Sequence, residues 1–394
     1  MITIKQPNIR IIDGKARLFA DLDVDGLKTQ LWFEVDEEYK DYLLHERIDA
    51  FVLGLFHEAI RKNHDIVSEA PMTKRLYFQL TNQFLPAYFK LNGGNFKIIC
   101  PLADEVVHPN GGTAIGTGVS CGVDSLHVFA NHPEITHACI WNLHGVTHNE
   151  TSEIRQKGWE NLISVATKFT SEIGCKLIVG NTNFDRGCLP SIKHDGSTTY
   201  SNLFCIMALQ KLWSRYFVAS GYDIGDFKLK ATYSSDPAHY EYLLFSFCGL
   251  NNLGVYMDGV AQTRIEKVGD LIKYSPAYKH LNVCFGILDD GTNCTYKCAK
   301  CMRTLLNLEA WGAVELFKDV FDVDYYYSHP EEYLAELWRG YIQKNPFALE
   351  MRPYLKNKKW PFVIKIKAMV IVLKKGVRKL IRFGRISQGE FKSR

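Results

Sequence analysis

The chain has 394 residues, 46% of them apolar and 23% charged, with a formal net charge of +4. That length and apolar content suit two or more folding units with a sizeable core. The sequence holds no internal repeat, no low-complexity tract and no apolar run long enough to span a bilayer, which excludes repeat architectures and membrane-spanning helices. Eleven cysteines, an odd count with no signal peptide ahead of them, argue against a disulfide scaffold and for a soluble cytoplasmic enzyme.

Residues 1–105 read as an α+β unit. Short alternating stretches at Ile2–Lys5, Ile9–Ile12, Ala16–Leu22 and Leu27–Val35 predict a small β layer, and helices follow around Glu46–Asn63 and Lys74–Phe89. This unit presents the substrate or simply supports packing. Pro101–Gly112, ending Pro109-Asn110-Gly111-Gly112, reads as a linker into a second domain, 106–312.

That domain opens on an apolar strand, Thr113–Val119, followed by Gly118-Val119-Ser120-Cys121-Gly122-Val123-Asp124-Ser125 and a helix start at Leu126. A strand, a small-residue turn and a helix start gather backbone N–H donors and two hydroxyls at the positive end of a helix dipole, which suits pyrophosphate. Gly122 allows close backbone approach, Ser120 and Ser125 add donors, and Asp124 suits a Mg²⁺ that holds the phosphate. An ordinary strand-to-helix turn uses the same residue types. No Gly-Lys-Ser/Thr follows the glycine, so the segment is not a Walker loop.

The chain then alternates as an open, mainly parallel α/β sheet with helices on both faces should. Strands are predicted at Thr136–Leu143, Lys176–Gly180 and Phe227–Tyr233, with helices at Glu153–Ile173 and Thr199–Ser220. Ligands bind at the carboxyl ends of such strands, which nominates a rim of Ser120–Ser125, His144 and His148, Asn181 to Asp185, and Asp236. The histidines suit nucleotide contact or proton transfer, or are surface loop residues. Asp236, in Ser235-Asp236-Pro237, suits substrate contact or a turn start.

Cys284, Cys294, Cys298 and Cys301 fall within eighteen residues. Tetrahedral Zn²⁺ wants four soft ligands, and closely spaced cysteines on turns supply them. The turn-rich Asp289–Asn293 lets Cys284 fold back on the other three. A structural zinc in the 284–303 knuckle is therefore expected, with unrelated buried thiols or a disulfide pair as the weaker readings.

A helical extension, 313–355, leads to a basic tail, 356–394, that carries thirteen Lys/Arg and one acid. Its net of +12 leaves −8 for the rest of the chain. Phe362–Ile386 interleaves apolar and basic residues and fits an anionic membrane surface, at the periphery of the membrane, or a nucleic-acid backbone; a terminal helix packed on the body with its lysines in solvent is the plainer reading. Nucleic acid ranks lower because the tail lacks regular aromatic interleaving.

Ser120-Cys121-Gly122-Val123-Asp124-Ser125 resembles the Ser-Gly-Gly-x-Asp-Ser signature of the PP-loop ATP pyrophosphatases. With a Cys-x-x-Cys-x-Arg ending at Arg303 about 160 residues later, the chain looks like the 7-cyano-7-deazaguanine synthase branch of that superfamily. The resemblance covers roughly 112–312. It implies an adenine nucleotide α-hydrolase-like fold, attack of a substrate oxygen on the α-phosphate of ATP, release of pyrophosphate, and displacement of AMP by ammonia or an amine. It also implies pyrophosphate contacts from Ser120, Gly122, Asp124 and Ser125, and structural zinc on Cys284, Cys294, Cys298 and Cys301. The sequence departs from the pattern at Cys121, where a glycine is usual, and in the four-residue step from Cys294 to Cys298. Two other readings share the fold: a sulfur-transfer enzyme with a persulfide on Cys188 or Cys121, and a nucleotide-binding regulator without catalysis.

Overall fold

The computed structural model describes residues 1–143, 153–189, 194–230, 236–284, 293–295 and 298–375. The chain forms two compact units, one of Met1–Ser120 with Asp124–Gln262 and one of Cys121–Val123 with Thr263–Arg394.

The first unit is α/β. Its strands are β1 (Ile2–Ile4), β2 (Asn8–Ile12), β3 (Lys15–Val24), β4 (Leu27–Asp36), β5 (Ile66–Ser68), β6 (Met72–Thr73), β7 (Ile98–Ile99), β8 (Leu102–Ala103), β9 (Ala114–Gly118), β10 (His137–Asn142), β11 (Lys176–Thr182), β12 (Trp213–Ala219) and β13 (Gly254–Asp258). The helices are α1 (Asp49–Lys62), α2 (Lys74–Gln79), α3 (Leu85–Asn92), α4 (Val123–Asn131), α5 (Glu153–Ile173), α6 (His194–Ala208) and α7 (Glu241–Ser246). Eleven strands make one mixed sheet in the order β13-β12-β9-β10-β11-β4-β3-β1-β5-β7, with β2 on β3.

Local chemistry explains the amino-terminal strands. Asp13-Gly14 and Asp25-Gly26 all have positive φ (49° and 72°, 53° and 86°). Each pair is a two-residue hairpin loop of the type whose twist matches right-twisted strands, and Asp-Gly is among its preferred sequences. The turns set the registers Ile12↔Lys15 and Val24↔Leu27. Along β3 the side chains of Ala16, Leu18, Ala20, Leu22 and Val24 alternate into the core, the period of two that a half-buried strand requires.

Residues 1–105 do not stand apart. The sheet passes through the expected boundary because β4 pairs antiparallel with β11, at Asn181↔Glu34 and Thr182↔Phe33. Asn183 then clamps the junction, its Oδ1 accepting from Trp32 N at 2.9 Å and its Nδ2 donating to Gln30 O at 2.7 Å.

From β9 to β13 every neighbouring pair is parallel. The first strand of this run, β9, lies between β10 and β12, so successive strands add to one side as far as β11 and then to the other. Two elements differ from expectation here. The apolar stretch Thr199–Ser220, predicted as one long helix, is α6 followed by a turn and the partly buried strand β12. Phe227–Tyr233, predicted as a strand, contains no strand among its described residues 227–230, and Lys228 N donates to His239 O at 3.0 Å.

The second unit is helical: α8 (Arg264–Leu271), α9 (Pro276–His280), α10 (Ala299–Ala310), α11 (Val323–Ser328), α12 (Pro330–Ile342), α13 (Pro346–Leu349), α14 (Arg352–Leu355) and a terminal helix described over 362–375. Thr263 and Glu266 form a capping box that starts α8. Leu305, Leu308, Phe317, Tyr333 and Leu334 are fully or almost fully buried in this unit. Among the described residues no helix is long and apolar enough to cross a membrane.

Candidate functional site

Strand β9 ends at Gly118, Val119 N continues alongside β10 by donating to Cys139 O (2.8 Å), and α4 begins four residues later. Ser120, Cys121 and Gly122 therefore make the turn, and Val123, Asp124 and Ser125 form the first turn of α4. Ser125 Oγ closes the loop, accepting from Ser120 N at 3.2 Å and donating to Gly118 O at 3.2 Å. Ser120 is exposed, and Asp124 is half-buried where the helix dipole favours an acid.

Cys121 has φ +55°, a left-handed conformation that glycine adopts without cost and other residues rarely adopt. Its side chain is fully buried, and burial pushes the thiol up to about 12. The thiol is thus protonated at neutral pH.

The loop lies at the carboxyl end of β9. Between β9 and β12 the direction of strand addition reverses, and in open α/β sheets the crevice at that reversal is where ligands bind. The other nominated residues behave differently. His144 and His148 lie outside the described residues. Asn181 ends near β4, its Nδ2 donating to Glu34 Oε1 at 3.3 Å. Asp185 belongs to the turn Phe184–Cys188. Asp236 caps the short turn Pro237–His239 by accepting from Ala238 N at 3.0 Å, which is the turn-start reading of Ser-Asp-Pro. Besides β9, β10 and β11, the parallel strands whose carboxyl ends lie on this rim are β12 and β13.

One polar cluster at such a strand end escaped the sequence reading. Asp258 closes β13 and receives His127 Nδ1 at 2.9 Å and His132 Nε2 at 3.0 Å, both histidines coming from or just after α4. Burial raises the Asp258 carboxyl and the histidine hydrogen bonds lower it; the net effect is below the usual carboxylate value. His127 is buried and His132 stacks on Phe217 at 3.8 Å. The sequence signal was that His127 and His132 both follow the loop closely, one on α4 and the other just past its end.

In the second unit the four expected cysteines converge. Their Sγ atoms all lie within 4.8 Å of one another, with Cys298–Cys301 at 3.3 Å and Cys294–Cys301 at 3.6 Å. Tetrahedral zinc with Zn–S of ~2.3 Å sets sulfurs about 3.8 Å apart, so the cluster has the dimensions of a four-thiolate zinc site. Cys298 caps α10, its Sγ accepting from Cys301 N at 3.4 Å. Burial pushes the Cys301 thiol well up, with the neighbouring sulfurs adding to the effect, and pushes the Cys294 thiol up to about 11. A divalent cation reverses that penalty by binding the thiolates.

Asn293 holds this cluster in shape. It is buried, its Oδ1 accepts from Val283 N (2.8 Å) and Cys284 N (3.1 Å), and its Nδ2 donates to Leu281 O (2.8 Å) and Val320 O (3.0 Å). It thereby ties the segment entering Cys284 to the one carrying Cys294. Thr295, at φ +54°, accepts from Asp322 N at 2.9 Å on the far side of Cys294.

No family model, curated protein or solved structure matches the chain.

Proposed function

We propose that this chain is an ATP-dependent ligase that adenylates a substrate oxygen at the α-phosphate of ATP, releases pyrophosphate, and forms a C–N bond when ammonia or an amine displaces AMP. The observation that carries the proposal is the Ser120–Ser125 turn at the end of β9, at the reversal of strand order in the parallel part of the sheet. On this reading the sheet is of the adenine nucleotide α-hydrolase kind.

The residues of the loop suit that chemistry. The start of α4 and the turn amides offer donors to pyrophosphate oxygens. Asp124, in the first turn of α4, is the carboxylate that would hold Mg²⁺, which supplies neutralisation of the phosphate charge. Ser125 keeps the turn closed through its two hydrogen bonds, and Ser120 presents its hydroxyl at the surface of the loop. Catalysis of this kind rests on positioning and charge neutralisation, so it calls for no activated nucleophile on the protein. Zinc on Cys284, Cys294, Cys298 and Cys301 is structural in this account, because four thiolates leave no open coordination position for a reactant.

Burial weighs against sulfur transfer. The thiols of Cys121 and Cys188 are both pushed up to about 12, so neither offers a thiolate to carry a persulfide in this conformation. The test is substitution of the loop. Asp124→Ala and Ser125→Ala each abolish pyrophosphate release while one zinc per chain is retained; full activity in either variant refutes the loop assignment. Nucleotide binding without turnover in the unsubstituted protein, across a broad panel of carboxylate acceptors, favours the regulator.

A further inference from the structure

The terminal helix is apolar on two opposite sides. Through one it packs: Ala368 is fully buried and Ile364, Ile371 and Val372 are half-buried, while Lys367 and Lys375 lie 3.8 Å and 3.9 Å from Glu331 and Glu336 of α12. The other side is a stripe of Phe362, Val363, Ile366, Met369, Val370 and Leu373, each exposed, from 42% at Val370 to 76% at Phe362. At ~100° per residue these six fall within an arc of about 120°. Lys374 borders the arc on one side and Lys365 on the other, both exposed.

A helix whose only task is to cap the body needs one apolar face. Six large apolar side chains on the opposite face are too many, and too well aligned, for scattered surface residues. Their occupant is indicated by charge. The 356–394 segment holds thirteen basic residues against one acid, a net of +12 beside −8 for the rest of the chain. A second copy seated on the stripe brings two such segments face to face and is repelled. A surface that is apolar at depth and anionic at its rim matches both properties: the stripe enters the acyl boundary while flanking lysines extend their stems and keep their ammonium groups among acidic headgroups.

We propose that residues 362–375 form an in-plane anchor that docks the folded protein on an anionic phospholipid bilayer through the Phe362–Leu373 stripe. The proposal is independent of the ligase reading, since it invokes no residue of the loop.

The experiment is flotation of the full-length protein with phosphatidylcholine vesicles, with and without phosphatidylserine, together with light scattering in the absence of lipid. Ile366→Asp with Met369→Asp removes the stripe, and Lys365→Glu with Lys374→Glu reverses its border; all four positions are exposed, and zinc content and melting temperature verify folding. The expected result is flotation only with phosphatidylserine, weakened by salt, and reduced about tenfold or more by each double variant. Absence of flotation, equal flotation of the stripe variant, or a lipid-free dimer that the stripe variant disperses overturns the proposal. So does retention on RNA with no affinity for vesicles.

Discussion

Replacing Asn293 by alanine removes four hydrogen bonds at once, to Val283 N, Cys284 N, Leu281 O and Val320 O, all between 2.8 and 3.1 Å. The two to Leu281 O and Val320 O are buried and the other two partly so, and alanine offers no substitute. At a net ~1 kcal/mol per bond the loss is about 4 kcal/mol, a large part of the 5–15 kcal/mol that typically holds a domain together. The stranded donors and acceptors lie beside Cys284 and Cys294, so the same change loosens the zinc ligands. Outer residues that orient ligands are commonly worth ten- to a hundredfold in metal affinity. The assay is chelator competition with a chromophoric zinc indicator, run beside thermal melting with and without added zinc. The account predicts that Asn293→Ala yields its zinc at about ten- to a hundredfold lower chelator concentration, melts lower, and recovers part of the difference in excess zinc, because zinc binds the folded state. Wild-type melting and zinc retention in this variant refute the reasoning.

Other substitutions probe the loop and its strand. Cys121→Gly relieves a left-handed strain of ~1–2 kcal/mol and gives back a similar amount in lost burial and chain entropy, so its melting temperature stays close to wild type. Cys121→Val places a β-branched residue at φ +55° and destabilises by about 1–3 kcal/mol. At Gly116 an added Cβ meets Trp213 and Tyr216 side-chain atoms at 2.8 Å, so Gly116→Ala costs about 1–3 kcal/mol in denaturant melts if β9 and β12 pack as described. Asp258 has a folded pKa below its ordinary 3.8; its contribution to stability is present above that value and is lost as pH falls through the lower folded one. Asp258→Asn therefore melts lower than wild type at pH 6, and the gap narrows in acid below about pH 3.8; a gap that is constant from pH 6 to pH 2 contradicts the His127–Asp258–His132 linkage.

What could be read from the sequence was local. The strand–turn–helix at Ser120–Ser125 declared itself because its parts are contiguous, and the cysteine cluster because four cysteines share eighteen residues. The amino-terminal strands showed their period of two, while their partner did not: the pairing of Glu34 with Asn181 joins segments about 150 residues apart, and neither segment encodes the other. The stretch Thr199–Ser220 misled because its apolar residues are dense enough to fit a helix throughout, and short apolar runs do not separate helix from strand by periodicity alone. The aromatic and β-branched run Trp213-Ser214-Arg215-Tyr216-Phe217-Val218 was the available sign of the switch. Asp258, at the end of β13, was not nominated because no strand was predicted over Gly254–Asp258. Asn293 was legible as turn chemistry but not as a clamp, since its four partners come from two separate segments of the chain, 281–284 and Val320.

The central claim is adenylation at the Ser120–Ser125 loop, and product analysis with α- and γ-labelled ATP tests it most directly. The zinc-loaded protein is incubated with Mg²⁺, ammonia and a panel of carboxylate acceptors. The account predicts labelled AMP and pyrophosphate with at least one acceptor, and loss of both in Asp124→Ala. ADP and inorganic phosphate as the products contradict it.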